Sequence, residues 1–451
     1  MGQRVTMAGR LVKGCAFLWV LLAAVCLAVA DAGERDRPNV VLIISDDHGW
    51  SDYGFMGHKQ IQTPHLDKLA ASGFTFTRGY VPSSLCRPSL ATIATGLFPH
   101  QHRITGNDPA APGKVRNRKD PAYQQIIHQY NRIMQDLPTV PRELGKAGYL
   151  SFQTGKWWEG HYSTGGFTHG MSLGDLGRGG RHGDAGLEIG RKGMEPIFDF
   201  IAEARRENKP FLVWYAPLLP HDPHTPPARL FEKYRTIAPT DHVARYWAMV
   251  EWFDETCGQL MSHLEEQNLA DNTLVIYVAD NGWIQQPNKA GFAPGSKQSP
   301  YDGGLRTPIM VRWPAKLKAR LDTQTPVSSA DIAATIYAAC GVKPDADLPG
   351  INLLDTDALT KRNAVFGAVY THDVNDLDDV TASLRFRWGV VGDWKVILPH
   401  ARHHSDLGSG LRPELYHVTD DPQERRNLSL ESAEKLEEMS RRVDEWWTPG
   451  R

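Results

Sequence analysis

Asn39-Val40-Val41-Leu42-Ile43-Ile44-Ser45, followed at once by Asp46 and Asp47, is the stretch from which the fold is read. The run is short, unbroken and β-branched, the pattern of a strand buried on both faces of a sheet. The pattern recurs at Thr273 to Ala279, which ends in Asp280 and Asn281. Between them, Tyr149 to Thr154 leads into Gly155-Lys156, and Phe211 to Tyr215 leads into a loop carrying His221 and His224. Helical periodicity separates these runs at Asp136 to Ala147, Met194 to Arg206 and Val243 to Gln267. The alternation predicts an α/β fold whose large sheet is mostly parallel and flanked by helices. Ligands of such sheets bind outside the carboxyl ends of the strands. Asp46, Asp47, Lys156, His221, Asp280 and Asn281, remote in sequence, are therefore expected to converge on one edge.

Acid pairs also serve turns and helix caps. Two of them, each directly after a doubly buried strand, point instead to a shared site. Four oxygen donors from Asp46, Asp47, Asp280 and Asn281, with no clustered Cys or His, suit Ca²⁺ or Mg²⁺ better than Zn²⁺.

The rest of the chain limits the kinds of partner. It has 451 residues, 41% of them hydrophobic, with 50 Lys+Arg against 52 Asp+Glu. So balanced a charge argues against nucleic acid as the main partner. Arg4, Arg10 and Lys13 precede an apolar run from Cys15 to Ala30 that ends in Ala28-Val29-Ala30. A basic start, a short apolar middle and a small-residue end read as a secretory signal over 1–30. A membrane anchor is the other reading, but the run is shorter than the ~20 residues needed to cross a bilayer. No later segment is apolar enough to span, so no membrane association is expected after signal cleavage. Cys86, Cys257 and Cys340 remain, an odd number in an exported chain. Cys257 and Cys340 read as core residues.

Cys86 stands apart. Ser83-Ser84-Leu85-Cys86-Arg87-Pro88-Ser89-Leu90 runs into Ala91-Thr92-Ile93-Ala94-Thr95-Gly96. Pro88 fits the first turn of a helix and Gly96 its end. Cys86 then sits at the positive end of that helix, where thiol pKa values fall and anions bind, which makes it a candidate nucleophile or the precursor of one.

CRPSLATIATG resembles the sulfatase signature Cys-x-Pro-Ser-Arg followed by a short helix and Thr-Gly. The resemblance extends through NVVLIISDDHGW, TGKWW, PLLPHDPHTPP, VIYVADNGW, SKQSPYDGGLRTP and ELYHVTDDPQERRNL. It implies an alkaline-phosphatase-like fold, with a catalytic α/β domain over 37–355 and a small carboxyl-terminal subdomain over 362–451, built as an antiparallel sheet plus a helix. Short strands at Phe366 to Tyr370, Phe386 to Val391 and Trp394 to Leu398 and an amphipathic helix at Ser429 to Trp447 agree with this. It further implies that Cys86 is oxidised to formylglycine by a formylglycine-generating enzyme and then acts as nucleophile and metal ligand. Asp46, Asp47, Asp280 and Asn281 become the ligands of one Ca²⁺, with Mg²⁺ as the alternative. Lys156 and Lys297 match the two sulfate-binding lysines, and His221 the residue that protonates the leaving oxygen. His224 is placed on the substrate side. The expected activity is hydrolysis of a sulfated carbohydrate or aryl sulfate by a secreted or periplasmic enzyme.

Two positions depart from the family pattern. Leu90 replaces the signature arginine, leaving Arg87 as the nearest guanidinium for the substrate, and Trp158 replaces a histidine after Lys-Trp. His161 is close in sequence, but it also reads as an exposed loop residue. These departures keep two alternatives open: a phosphoester or phosphonate hydrolase of the same superfamily, and a sulfoglycan-binding pseudoenzyme. His161, Arg178, Arg181 and His182 suit an anionic carbohydrate, and Asn427-Leu428-Ser429 is a glycosylation sequon.

Overall fold

Strand Asn39–Ser45 is buried along its whole length, and its side chains alternate between two cores. Val40, Leu42 and Ile44 meet Leu90, Ile93 and Ala94 of helix Cys86–Thr95 and Ile332 and Ile336 of helix Asp331–Cys340. Val41 and Ile43 meet the opposite layer, from helices Pro64–Ser72, Glu195–Arg206 and Asp241–Glu266. Each fully buried aliphatic side chain contributes about 2 kcal/mol, so both faces hold the strand and its carboxyl end is a fixed ledge.

The computed structural model describes residues 1, 37–111, 113, 119–175, 177, 179–401 and 411–450. Residues 2–30 of the expected signal segment, and Arg178, lie outside the described residues. The large sheet runs in the order Val327–Ser328, Phe74–Tyr80, Arg306–Arg312, Thr273–Ala279, Asn39–Ser45, Phe211–Ala216, Leu150–Gly155, His169–Gly170, with Arg320–Asp322 also paired to Phe74–Tyr80. Arg306–Arg312 is antiparallel to both neighbours, and the remaining pairings are parallel. The fold is thus the mixed, mostly parallel sheet of the alkaline-phosphatase-like architecture.

Strands Phe74–Tyr80 and Arg306–Arg312 complete the sheet although the apolar runs did not mark them. Pro308 interrupts the second, and the ladder shifts register there, with Thr307 opposite Gly79 and Ile309 opposite Phe76. A bulge is where a strand tolerates a residue without an N–H. The helix expected over Asp136 to Ala147 is shorter. Pro138 ends a 3₁₀ turn at Ile133–Asp136, and the helix restarts at Val140–Lys146 with the Thr139 hydroxyl accepting from Arg142 N–H.

A second sheet orders Ala364–Tyr370, Leu384–Val391, Trp394–Pro399 and Glu414–His417, all antiparallel. Helix Ala433–Trp446 covers it through Met439 and Val443 against Val396, Leu398 and Leu415. Val365, Phe386, Trp388 and Tyr416 of this sheet belong to the same apolar cluster as Val40 and Leu42, and residues 39–451 form one compact unit. Among the described residues no helix is long and apolar enough to cross a membrane.

Candidate active site

Sheet register fixes the site. Ser45 lies opposite Ala279, Ile43 opposite Tyr215, and Gly155 opposite Ala216, so four strands end on one line. Backbone bonds tie the residues just beyond: Asp280 N–H to Ser45 O at 2.8 Å, Asp46 N–H to Leu219 O at 2.9 Å, Lys156 N–H to Ala216 O at 2.6 Å. Asp47 takes a left-handed conformation, φ 60°, which Asp tolerates better than most residues.

The side chains then interlock. Asp47 N–H donates to Asp280 Oδ1 at 3.0 Å, and Asn281 Nδ2 donates to Asp47 Oδ1 at 2.7 Å. Lys156 Nζ reaches Asp46 Oδ1 at 2.7 Å, and Lys297 Nζ reaches Asp47 Oδ2 at 2.8 Å. His221 Nε2 lies 3.3 Å from Asp47 Oδ2. Donor atoms of Asp46, Asp47, Cys86 and His221 all fall within 4.8 Å of one another. Asp46, Asp47, Asp280, Asn281 and Lys156 are at most 2% exposed.

Burying three carboxylates together is costly unless positive charge offsets them. Burial and the charge of Asp46 push Asp280 well above the usual carboxylate range, against the pull of Lys156 and Lys297. For Asp47 burial also pushes upward, but Lys297, His221 and Lys156 overcome it and hold the carboxyl well below that range. Asp46 Oδ2, Asp280 Oδ2 and Asn281 Oδ1 have no hydrogen-bond partner although buried. Unpaired buried oxygens are rare in native proteins, and carboxylate and amide oxygens are the kind of donor that a hard divalent cation takes.

Cys86 opens helix Cys86–Thr95, and Gly96 closes it with φ 74°. The expectation of a low-pKa thiol at this helix end is overturned. Burial pushes Cys86 up to about 12, and Lys156 and Lys297 only partly oppose it. Desolvation of a thiolate outweighs two nearby cations that Asp46 and Asp47 already engage. Burial thus disfavours a free thiolate at this position. His221 is likewise shifted below its ordinary value, by burial first, so its imidazole is neutral near pH 7 in the absence of a bound anion.

The remaining sequence candidates divide. Arg87 is 2% exposed, and its guanidinium donates to Glu159 Oε1 at 2.9 Å and Oε2 at 2.6 Å, to Asn131 Oδ1 at 2.8 Å and to Asn107 O at 3.1 Å, over the Tyr130 ring. Its hydrogen-bonding capacity is directed to the protein itself. Leu90 packs in the core. His224 stands between Tyr246 and Trp283, with Nε2 unpartnered. His161 is exposed and bonded to Ser163 Oγ at 2.8 Å. Arg181 is paired with Asp108 and lies over Trp158. The sequence reading passed over Glu159, which no local pattern links to Arg87, and Lys395, which is 0% exposed and bonds Asp302 Oδ1 and Glu424 at 2.7 Å each.

Known proteins carry the same arrangement of chain. The family model described as Sulfatase matches residues 38–342, and the one described as N-sulphoglucosamine sulphohydrolase, C-terminal, matches residues 296–446. Human N-acetylgalactosamine-6-sulfatase is 27% identical over 91% of this chain and 85% of its own. Human arylsulfatase A is 28% identical over 87% of this chain and 83% of its own. The crystal structure of Ps i-CgsB in complex with k-i-k-neocarrahexaose has the same fold, with a TM-score of 0.71 at 23% identity, over 91% of this chain and 92% of that one. A match that takes in both sheets, and relatives aligned along nearly the whole length, leave one conclusion: the chain belongs to the sulfatase family and is a sulfuric ester hydrolase.

Proposed function

We propose that this protein is an exported sulfatase that removes sulfate from a sulfated carbohydrate, with a Ca²⁺ ion and a formylglycine derived from Cys86. The observation that carries the reading is the clustering of Cys86 with Asp46, Asp47 and His221 within 4.8 Å, beside three buried oxygens that lack partners. Asp46, Asp47, Asp280 and Asn281 would hold the ion, which when bound would supply Lewis-acid polarisation of the sulfate oxygens. Formylglycine supplies the nucleophilic hydroxyl. Lys156 and Lys297 place positive charge where the transferred group is negative, in a site dry enough for that charge to count. A sulfate among these cations raises the proton affinity of His221, which then protonates the leaving oxygen. The basic, apolar and small-residue pattern of residues 1–30 supports export, and carbohydrate is supported by the sulfated-sugar names of the relatives.

The test is coexpression with a formylglycine-generating enzyme, mass spectrometry of the tryptic peptide Gly79–Arg103, and parallel assays on aryl sulfate, phosphate monoester and phosphate diester. Converted Cys86 with fastest turnover of the sulfate is expected. Faster phosphate turnover overturns the sulfatase reading, and an intact thiol in every preparation removes the formylglycine.

A further inference from the structure

Arg87, directly after Cys86, forms with Glu159 an ion pair that is 2% and 3% exposed and to which the proposed chemistry gives no task. Four N–H directions of its guanidinium are taken: Nε by Glu159 Oε1 at 2.9 Å, Nη2 by Glu159 Oε2 at 2.6 Å and Asn131 Oδ1 at 2.8 Å, and Nη1 by Asn107 O at 3.1 Å. The Tyr130 ring lies 3.8 Å from the guanidinium carbon, and the backbone N–H of Arg87 donates to Asn107 Oδ1 at 3.0 Å. Both the backbone and the side chain of the residue after Cys86 are thus fastened.

The fastening has a direction. Glu159 lies three residues past Lys156, in the loop that leaves strand Leu150–Gly155. On the other side of Cys86, Ser84 O accepts from Gln298 N–H at 2.8 Å, and Gln298 follows Lys297. Residue 86 therefore stands between two ties, each to a loop that carries one lysine of the site. A bidentate guanidinium–carboxylate pair fixes angle as well as distance.

We propose that Arg87 and Glu159 are positioning residues, whose ion pair holds residue 86 in a set place relative to Lys156. The inference rests on the proposed role of the group at position 86 as nucleophile. Removing the carboxylate leaves the guanidinium buried and unpaired, so the Arg87 side chain shifts and the start of helix Cys86–Thr95 shifts with it. A displacement of about 1 Å at a reacting atom costs on the order of 100-fold in rate.

The experiment uses E159Q and N131A, both outside the tryptic peptide Gly79–Arg103. N131A removes one acceptor and leaves the ion pair, so it carries the test if E159Q does not fold. Unconverted protein is labelled with iodoacetamide under native conditions, and modification of each cysteine is followed by mass spectrometry. Cys86, Cys257 and Cys340 are all free and buried, so the last two report on the fold as a whole. Labelling of Cys86 at least about tenfold faster than in wild type is expected in E159Q, with a smaller rise in N131A and unchanged rates at Cys257 and Cys340. In enzyme converted at Cys86, kcat on an aryl sulfate is expected to fall by about 10–100-fold in E159Q with KM retained. Equal acceleration at all three cysteines, with a lowered thermal midpoint, would make the pair a support of the fold alone and overturn the proposal. So would wild-type labelling at Cys86, wild-type kcat, or a raised KM with kcat retained. Absence of turnover in wild-type enzyme defeats the sulfatase reading, and the labelling still decides whether the pair holds residue 86.

Discussion

His102 shows how single residues set the pH range of the fold. It is wholly buried, its Nδ1 accepts from Ile104 N–H at 3.1 Å, and burial pushes it down to about 3. In the unfolded chain its pKa returns to about 6.5. Between these values the unfolded state binds the extra proton, so stability contributed by neutral His102 is full above about pH 6.5 and is lost as the pH falls toward 3. H102Q keeps an acceptor but cannot titrate. Urea denaturation of H102Q at a series of pH values is expected to show a shallower loss of stability below about pH 6.5 than wild type. Parallel curves for the two proteins would assign the acid sensitivity elsewhere.

At the scale of one element, the turn that ends strand Leu150–Gly155 delivers Lys156. Gly155 has φ 75°, and a Cβ there would lie 1.9 Å from Ala216 O, the carbonyl that accepts from Lys156 N–H. Alanine therefore meets both a left-handed backbone and a clash that only backbone movement relieves. The conformational part alone is about 1–3 kcal/mol. G155A is expected to lose at least that much stability in denaturant titration and, because Lys156 moves with the turn, to show a raised KM for aryl sulfate. Wild-type KM in a folded G155A would separate the turn from Lys156. Sequence made this element legible: the run from Tyr149 to Thr154 followed by Gly-Lys marks a strand and its exit. It could not show that Ala216 crowds the glycine, because that contact depends on which strand lies alongside.

Across the whole molecule, the small sheet reaches back to the site. Lys395, on strand Trp394–Pro399, bonds Asp302 and Glu424 with no exposure to water, and Asp302 follows the loop that carries Lys297. Removing one partner of a buried ion pair costs about 3–5 kcal/mol. K395M is expected to lower the thermal midpoint and to reduce kcat by loosening the Lys297 loop, whereas the double variant K395M/D302N should recover part of the stability. No recovery would mean the two residues are not coupled. The proposed cation would have a molecule-wide signature as well. A ligand present at 100 times its Kd stabilises by about 2.7 kcal/mol, so chelation is expected to abolish turnover and lower the midpoint, and added Ca²⁺ to restore both. An unchanged midpoint on chelation and refilling would count against the ion.

Burial on both sides of Asn39–Ser45 and Thr273–Ala279, the helix between Cys86 and Gly96, and the donors stationed past the strand ends were all legible in the sequence, because residue size, polarity and period act over a few neighbours. Sheet order, the pairing of Arg87 with Glu159, the full burial of Cys86 and the packing of His182 against Trp158 were decided only by the tertiary structure. Each depends on contacts between segments distant in the chain and on the low dielectric they create together, which no local pattern carries.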